Sequence, residues 1–190
     1  MAISTGLPQT ILLANRLISK IVNERLFAPT TRETLQEDAE AEEQLETYVD
    51  NLILPFPAGK ENSSLEGTLF GKTIMFDENE RDIFSVKIDR AGKNELLISF
   101  QLKDRQVTVK AGFEKWMTQN VIFDDPRHFL NSFAYAFADD KTLILKQYWL
   151  NMSGYDTYTL HYQGDVVNGM IITSVKLGGA VPVELAGKVQ

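Results

Sequence analysis

The chain has 190 residues, 44% of them hydrophobic and 10% aromatic, which is enough for one sizeable core. A formal net charge of −7 disfavours a nucleic-acid-binding protein, because such proteins usually carry a basic face. The lack of cysteine excludes disulfides, thiolate catalysis and cysteine-based zinc sites. Neither a signal peptide nor an apolar run of about 18 residues is visible, so we expect no membrane span. The sequence does not decide the cellular compartment of the protein, and the cytoplasm is slightly favoured.

The N-terminal part of the chain has a helical pattern. Apolar residues recur every three or four positions over residues 8–26, starting from Pro8, which suits a first helical turn. A second helix is predicted over residues 34–53, where Thr34 and Glu37 form a capping box. We interpret its acidic face as a solvated surface rather than a docking site. The stripe of the first helix consists of Ile11, Ala14, Leu17, Ile18, Ile21 and Val22.

A proline-rich segment, "LILPFPAG" at 52–59, ends the helical pattern. Pro55 and Pro57 each push the preceding residue away from the α-helical region, which favours an extended linker. Downstream of it the hydrophobic period changes from 3.6 to 2. The predicted organisation is therefore a helical arm with its linker over 1–59, a β-domain over 60–180 and a tail over 181–190.

Eight segments of the β-domain are predicted to be strands, because apolar or aromatic residues alternate with polar ones or β-branched residues are enriched. Short turns separate them, so neighbouring strands should be antiparallel. The predicted fold is mainly β with an N-terminal helical arm, in which a meander of about eight strands closes into a barrel or curled sheet. The segments are 66–76, 82–90, 94–103, 105–113, 132–139, 141–150, 156–163 and 165–175.

Catalytic patterns are missing from the sequence. No serine is followed by lysine three residues later, as an S-x-x-K nucleophile requires, and none lies in a G-x-S-x-G turn. The two histidines are His128, near Asp124 and Asp125, and His161 on a strand. They lack the spacing of metal ligands, so we predict no metal, no cofactor and no enzymatic activity for this chain.

Aromatic residues concentrate in the predicted strands and could line a ligand cavity inside a barrel. A barrel of about eight strands can also be filled by its own side chains, and this filled core is the interpretation we favour. The candidate lining residues are Tyr135, Tyr148, Trp149, Tyr158 and Tyr162, with Phe100, Phe133 and Phe137 beside them.

The order of these features resembles the C-terminal region of bacterial serine hydrolases of the β-lactamase/penicillin-binding-protein-like family. The resemblance implies a lipocalin-like β-domain, although the lipocalin G-x-W signature is missing. It also implies that the catalytic motifs lie upstream, so no catalytic residue carries over to this chain. The matching elements are "QTILLANRLISKIV" (9–22), "LILPFPAG" (52–59), "LEGTLFGKTIMFDENE" (65–80), "GFEKW" (112–116) and "DDKTLILKQYWLNMSGYDTYTLHYQGD" (139–165).

Two functions follow as hypotheses. The first is a non-catalytic accessory domain that shapes substrate access to a serine hydrolase or stabilises it, with the catalytic domain as partner in cis or in trans. The alternative is a stand-alone lipocalin-like protein that binds a small apolar ligand. The apolar stripe of the first helix further predicts a homodimer, because its exposure would be unfavourable.

Overall fold

A computed structural model of the protein describes residues 19–27, 39–50, 54–123, 126–127, 129–152, 154–174 and 182–190. The chain divides into two compact units, Met1–Pro55 and Phe56–Gln190. This boundary falls within the proline-rich segment. The last residues of the predicted linker, 56–59, therefore belong to the β-unit.

The described residues of the first unit are helical. Residues 19–27 form a helix that has π-helical geometry over Val22–Phe27, and helix α1 spans Ala39–Asp50. The predicted helical arm is confirmed over these ranges. Most of the apolar stripe of the first helix lies outside the described residues, so its dimer contact stays a prediction. Among the described helices, none has the length and apolarity to cross a membrane.

The second unit is a β-barrel with one short helix, α2, at Glu66–Leu69. Its strands are β1 Thr73–Phe76, β2 Ile83–Gly92, β3 Glu95–Leu102, β4 Gln106–Gly112, β5 Met117–Asn120, β6 Leu130–Asp139, β7 Thr142–Trp149, β8 Tyr155–Gln163, β9 Val166–Thr173 and β10 Val183–Val189. Neighbours in the order β4-β3-β2-β1-β10-β9-β8-β7-β6-β5 are antiparallel. The predicted mainly β fold and its antiparallel barrel are confirmed.

Nine strands close the barrel at a seam between β4 and β6. Gly112 and Ala134 pair there in parallel, the one direct backbone pairing of these two strands in the described part of the chain. The short strand β5 pairs with β6 and bridges the seam with a side chain. The amide of Gln119 donates to the carbonyl of Lys110 at 2.8 Å and accepts from its N–H at 2.9 Å. The side chain of Gln119 thus supplies hydrogen bonds to β4 where the described residues of β4 and β6 have no backbone pairing.

Two segments differ from their predicted structure. The first half of the strand predicted over 66–76 is helix α2, because Leu65 and Leu69, four residues apart, both insert into one end of the barrel. The tail predicted over 181–190 contains β10, which pairs with β1 on one side and β9 on the other. Val183 and Leu185 are buried from it, so this strand is part of the barrel wall.

Alternation along the strands fills the interior. In β7, Leu143, Leu145, Gln147 and Trp149 are buried, while the residues between them are partly exposed. The inward residues of the other strands join one continuous apolar cluster. The barrel therefore has a packed core rather than an open lumen.

Candidate functional site

The barrel interior holds a cavity of about 20 Å³. A single water molecule needs about 10–15 Å³ of such space, so the cavity is close to filled. Its wall carries no charged residue. The lining side chains are Phe76, Ile83, Val86, Ile88, Ile98, Phe100, Leu143, Leu145, Tyr158, Leu160 and Leu185.

A wider cleft of about 540 Å³ lies at the end of the barrel where the β1–β2 loop and the β3–β4 turn meet. Most of its lining is charged, with three acidic and three basic side chains, and two apolar residues complete it. The lining residues are Glu80, Arg81, Asp82, Leu102, Lys103, Asp104, Arg105 and Phe123.

Phe123 lies between residues of this cleft and residues of the central cavity. Its ring lies edge-on to Phe100 with the centroids 4.7 Å apart, and 6.2 Å from the ring of Tyr158. Both partners line the cavity, whereas Phe123 itself lines the cleft. Arg105 holds the segment by donating to the carbonyl oxygen of Phe123 at 2.9 Å. Phe123 is buried, and because of this intermediate position we refer to it as the plug.

Beside the plug, a carboxylate and a guanidinium are paired inside the barrel wall. Arg81 reaches from the cleft and donates to both carboxylate oxygens of Asp156, at 3.2 and 3.3 Å. It also donates to the hydroxyl of Thr173 at 2.8 Å, and that hydroxyl donates to Asp156. The carboxylate is 1% exposed and the arginine side chain 20%, so this ion pair is largely removed from water.

A chain of uncharged hydrogen bonds continues from the cavity wall. The hydroxyl of Tyr158 donates to Gln147 at 3.1 Å, and the amide of Gln147 donates to Asn131 at 2.9 Å. Asn131 then donates to the carbonyl of Val121 at 2.7 Å. These groups are buried, and the chain satisfies polar atoms that would otherwise be costly in an apolar interior.

The opposite end of the barrel is closed around Arg90. Its guanidinium donates to the hydroxyl of Tyr135 at 2.9 Å, to Asn62 at 2.8 Å and to the carboxylate of Glu66 in helix α2. Glu61 lies 3.7 Å from the same guanidinium. This network fixes the short helix over the barrel end, where Leu65 and Leu69 fill the interior.

The five tyrosine and tryptophan residues proposed as cavity lining do not lie together. Tyr158 lines the central cavity, and Trp149 is buried without lining it. Tyr135 is buried at the Arg90 end, where desolvation raises the pKa of its phenol despite the opposing effect of the guanidinium. Tyr162 is buried as well, and the same cause raises its pKa strongly.

Tyr148 is on the outer surface instead, because it alternates with the buried Trp149 along β7. Its ring contacts Trp116 at 4.9 Å and Tyr155 at 4.9 Å between centroids, and Lys146 lies over both tyrosines. Partial burial raises the pKa of Tyr148 and lowers that of Lys146.

The histidines do not form a common site among the described residues. His161 is exposed, and its Nδ1 lies 3.1 Å from the hydroxyl of Thr142. His128, Asp124 and Asp125 lie outside the described residues. Within the described part of the chain, no group of three or more metal-ligating side chains is present.

Comparison with known proteins relates the fold to solved structures. No protein-family model matches the chain, and no curated protein sequence matches it. The structure is similar to As-p18, an extracellular fatty acid binding protein, with a TM-score of 0.51 at 11% identity over 68% of this chain and 100% of that one. The fold is lipocalin-like.

A second similar structure is that of apo lipid binding protein 8 from Caenorhabditis elegans. Its TM-score is 0.50 at 6% identity, and the match covers 67% of this chain and 99% of that one. At such low identity the likeness concerns the barrel architecture alone, since one fold hosts many functions.

Sequence reasoning did not find the residues that form the cleft. Phe123 follows the short strand β5, which has a single apolar residue, and Arg81 lies in a charged loop, "DENERD", that has no motif. A signal did exist for Asp156, because it occupies an inward position on the alternating strand β8, two residues before Tyr158. A charged residue at an inward position requires a partner, and Arg81 is that partner.

Proposed function

We propose that the barrel is a non-catalytic binding domain that takes a small apolar ligand into its interior through the cleft. The observation that carries this proposal is the position of Phe123, a single buried ring between a cleft of about 540 Å³ and an apolar cavity. We infer that movement of this side chain would join the two spaces. The apolar character of the ligand follows from the cavity wall.

The size of the ligand is limited by the packed core. A cavity of about 20 Å³ holds no organic molecule, so binding requires Phe123 to move and the ligand to occupy its place and part of the cleft. The structural neighbours named as fatty-acid- and lipid-binding proteins support an apolar ligand class. The filled interior of this chain favours a shorter ligand, with an affinity reduced by the free energy of opening.

The test is a titration of ¹⁵N-labelled protein with 1-octanol, followed by NMR. We expect saturable shifts at the amides of residues around the cavity and the cleft, such as Phe100, Phe123 and Tyr158. Phe123→Ala removes the plug and should tighten octanol binding by about tenfold. Phe84→Ala, which removes an exposed ring from the barrel surface, is the matched control and should leave the affinity unchanged. Shifts confined to the outer surface, or none, would contradict the proposal.

A second function is favoured by the filled interior itself. A barrel without room for a ligand suits an accessory domain that stabilises or shapes the entrance of a serine hydrolase, as the resemblance in sequence order implies. The test is to sequence the gene upstream of the present first codon and to look for a catalytic domain with an S-x-x-K motif. Co-purification of such a domain with this chain would support the proposal. Its absence from the same and neighbouring genes would count against it.

A further inference from the structure

Arg81 and Arg90 lie at opposite ends of the barrel interior, and each is paired with carboxylates. Arg81 binds Asp156 through two hydrogen bonds, and Arg90 binds Glu66 and lies 3.7 Å from Glu61. A cation that already has an anionic partner contributes little favourable electrostatic energy to the binding of a second anion, because the second anion must displace the first or share its charge. Each of these two cations therefore has an anionic partner before any ligand enters.

The Asp156 carboxylate lies close to the path from cleft to cavity. On β8 it is two residues from Tyr158, on the same inward face, which places their Cα atoms about 7 Å apart. Asp156 is also the register partner of Gln147, the residue that accepts from the Tyr158 hydroxyl. A ligand that passes Phe123 and contacts Tyr158 thus has its outer end beside Asp156.

We propose that this internal site selects an uncharged ligand, such as an alcohol, over a carboxylate of the same chain length; this inference rests on the proposed function above. A carboxylate at the outer end would face Asp156 and would lose its hydration without a free cation to replace it. An ammonium group would face Arg81 in the same way. An uncharged hydroxyl loses less hydration free energy than an ion does. It can also join the hydrogen bonds that link Tyr158, Gln147 and Asn131.

The cleft does not reverse this selection. Its three acidic side chains balance its three basic ones, and Arg105 is engaged by the Phe123 carbonyl. The remaining charges are at the surface, where water and salt screen them. Attraction of an anionic ligand to the cleft is therefore weak compared with its desolvation inside the barrel.

The test compares 1-octanol, octanoate and octylammonium at neutral pH by the same NMR titration. In the wild-type protein octanol should bind at least about tenfold more tightly than either ion. Greater hydrophobicity alone could give that order, so the deciding measurement is Asp156→Asn. This variant removes the carboxylate that binds Arg81 and should tighten octanoate binding by about tenfold while octanol binding stays unchanged. Glu95→Gln is the matched control, because it removes one negative charge from an ion pair with Lys115 on the barrel surface.

A second variant tests the opposite charge. Arg81→Gln leaves Asp156 without its guanidinium and should tighten octylammonium binding relative to octanol by about tenfold. The inference is overturned if octanoate binds the wild type as tightly as octanol, or if neither variant shifts the ratio of ion to alcohol while octanol still binds. If octanol itself fails to bind in the interior, the proposed function fails and this inference fails with it.

Discussion

At the scale of single residues, Tyr158 and Tyr162 can be compared directly. Both point into the barrel from β8, and they are 3% and 2% exposed. The hydroxyl of Tyr158 donates to Gln147, whereas the hydroxyl of Tyr162 has no hydrogen-bond partner in the described part of the chain. A buried polar group without a partner costs about 1–3 kcal/mol, and a satisfied one contributes about 1 kcal/mol.

The first prediction follows from this difference. Tyr162→Phe should raise the free energy of unfolding by about 1 kcal/mol, and Tyr158→Phe should lower it by about the same amount. Urea denaturation followed by fluorescence measures both. A loss of stability in Tyr162→Phe comparable to that in Tyr158→Phe would show that the Tyr162 hydroxyl is satisfied after all.

The pH dependence of stability gives a second prediction at Tyr162. A tyrosine in the unfolded chain has a pKa of about 10, and desolvation raises the pKa of Tyr162 in the folded state. Above about pH 10 the unfolded chain therefore loses this proton first, and stability falls as the pH rises further. Below that pH the residue contributes no pH dependence. Tyr162→Phe should reduce the alkaline loss of stability, measured by denaturation at a series of alkaline pH values; an unchanged slope would contradict the assignment.

The third prediction concerns Gly59, where the proline-rich segment joins the barrel. Its φ is +152°, and a Cβ atom there would lie 2.3 Å from the carbonyl oxygen of Phe137. The next residue, Lys60, exchanges two backbone hydrogen bonds with Phe137. Gly59→Ala should therefore lower the free energy of unfolding by about 2 kcal/mol or more.

Gly67 is the matched control, because a Cβ atom at this position in helix α2 meets nothing within 4 Å. Gly67→Ala should be neutral or stabilising by about 0.5–1 kcal/mol. The two alanine variants can be compared by thermal unfolding. Equal effects would mean that the contact at Gly59 relaxes without cost.

At the scale of elements, the alternation of apolar and polar residues, together with enrichment in β-branched and aromatic residues, was enough to predict eight of the strands. The same rule also corrects the predicted cavity lining, since adjacent residues such as Tyr148 and Trp149 cannot both face the interior. Strand β5 could not be predicted, because its four residues include a single apolar side chain, Met117, and therefore show no hydrophobic alternation. Helix α2 was missed because it is only four residues long. The burial of Leu65 and Leu69 that stabilises it depends on the barrel end, which the local sequence does not show. The site depends on Phe123 and Arg81, which tertiary structure brings together.

Strand β10 lacked a sequence signal because its few apolar residues are interrupted by glutamate, glycine and lysine. Its alternation is nevertheless real, with Leu185 3% exposed and Ala186 exposed on the outer side. The fourth prediction uses these neighbours. Leu185→Lys should lower the free energy of unfolding by about 3 kcal/mol or more, because it buries a charge in the core, while Ala186→Lys should change it by less than about 0.5 kcal/mol. Similar unfolding curves for both variants would mean that β10 is not part of the closed wall.

At the scale of the whole molecule, the β-unit has a hydrophobic core of its own. Its hydrophobic cluster draws only on residues between Leu65 and Val189, and the described N-terminal helices supply none of it. Residues 56–60 complete the seam side of the barrel. Phe56 stacks on Trp116 with the centroids 5.4 Å apart, and Lys60 pairs with Phe137 beyond the point where β4 and β6 meet.

The fifth prediction is that a fragment of residues 56–190 folds by itself into the barrel. It should show a β-type circular dichroism spectrum and one cooperative urea transition, since it keeps the whole core and every strand pairing described here. A fragment that begins at residue 62 keeps the same core but loses the Lys60–Phe137 bridge and the Phe56–Trp116 stack, so its midpoint should be lower. If the longer fragment unfolds without cooperativity while the full chain does not, the helical unit contributes to the stability of the barrel. If both fragments are equally stable, the barrel begins after the proline-rich segment, and the Gly59 contact does not hold the seam.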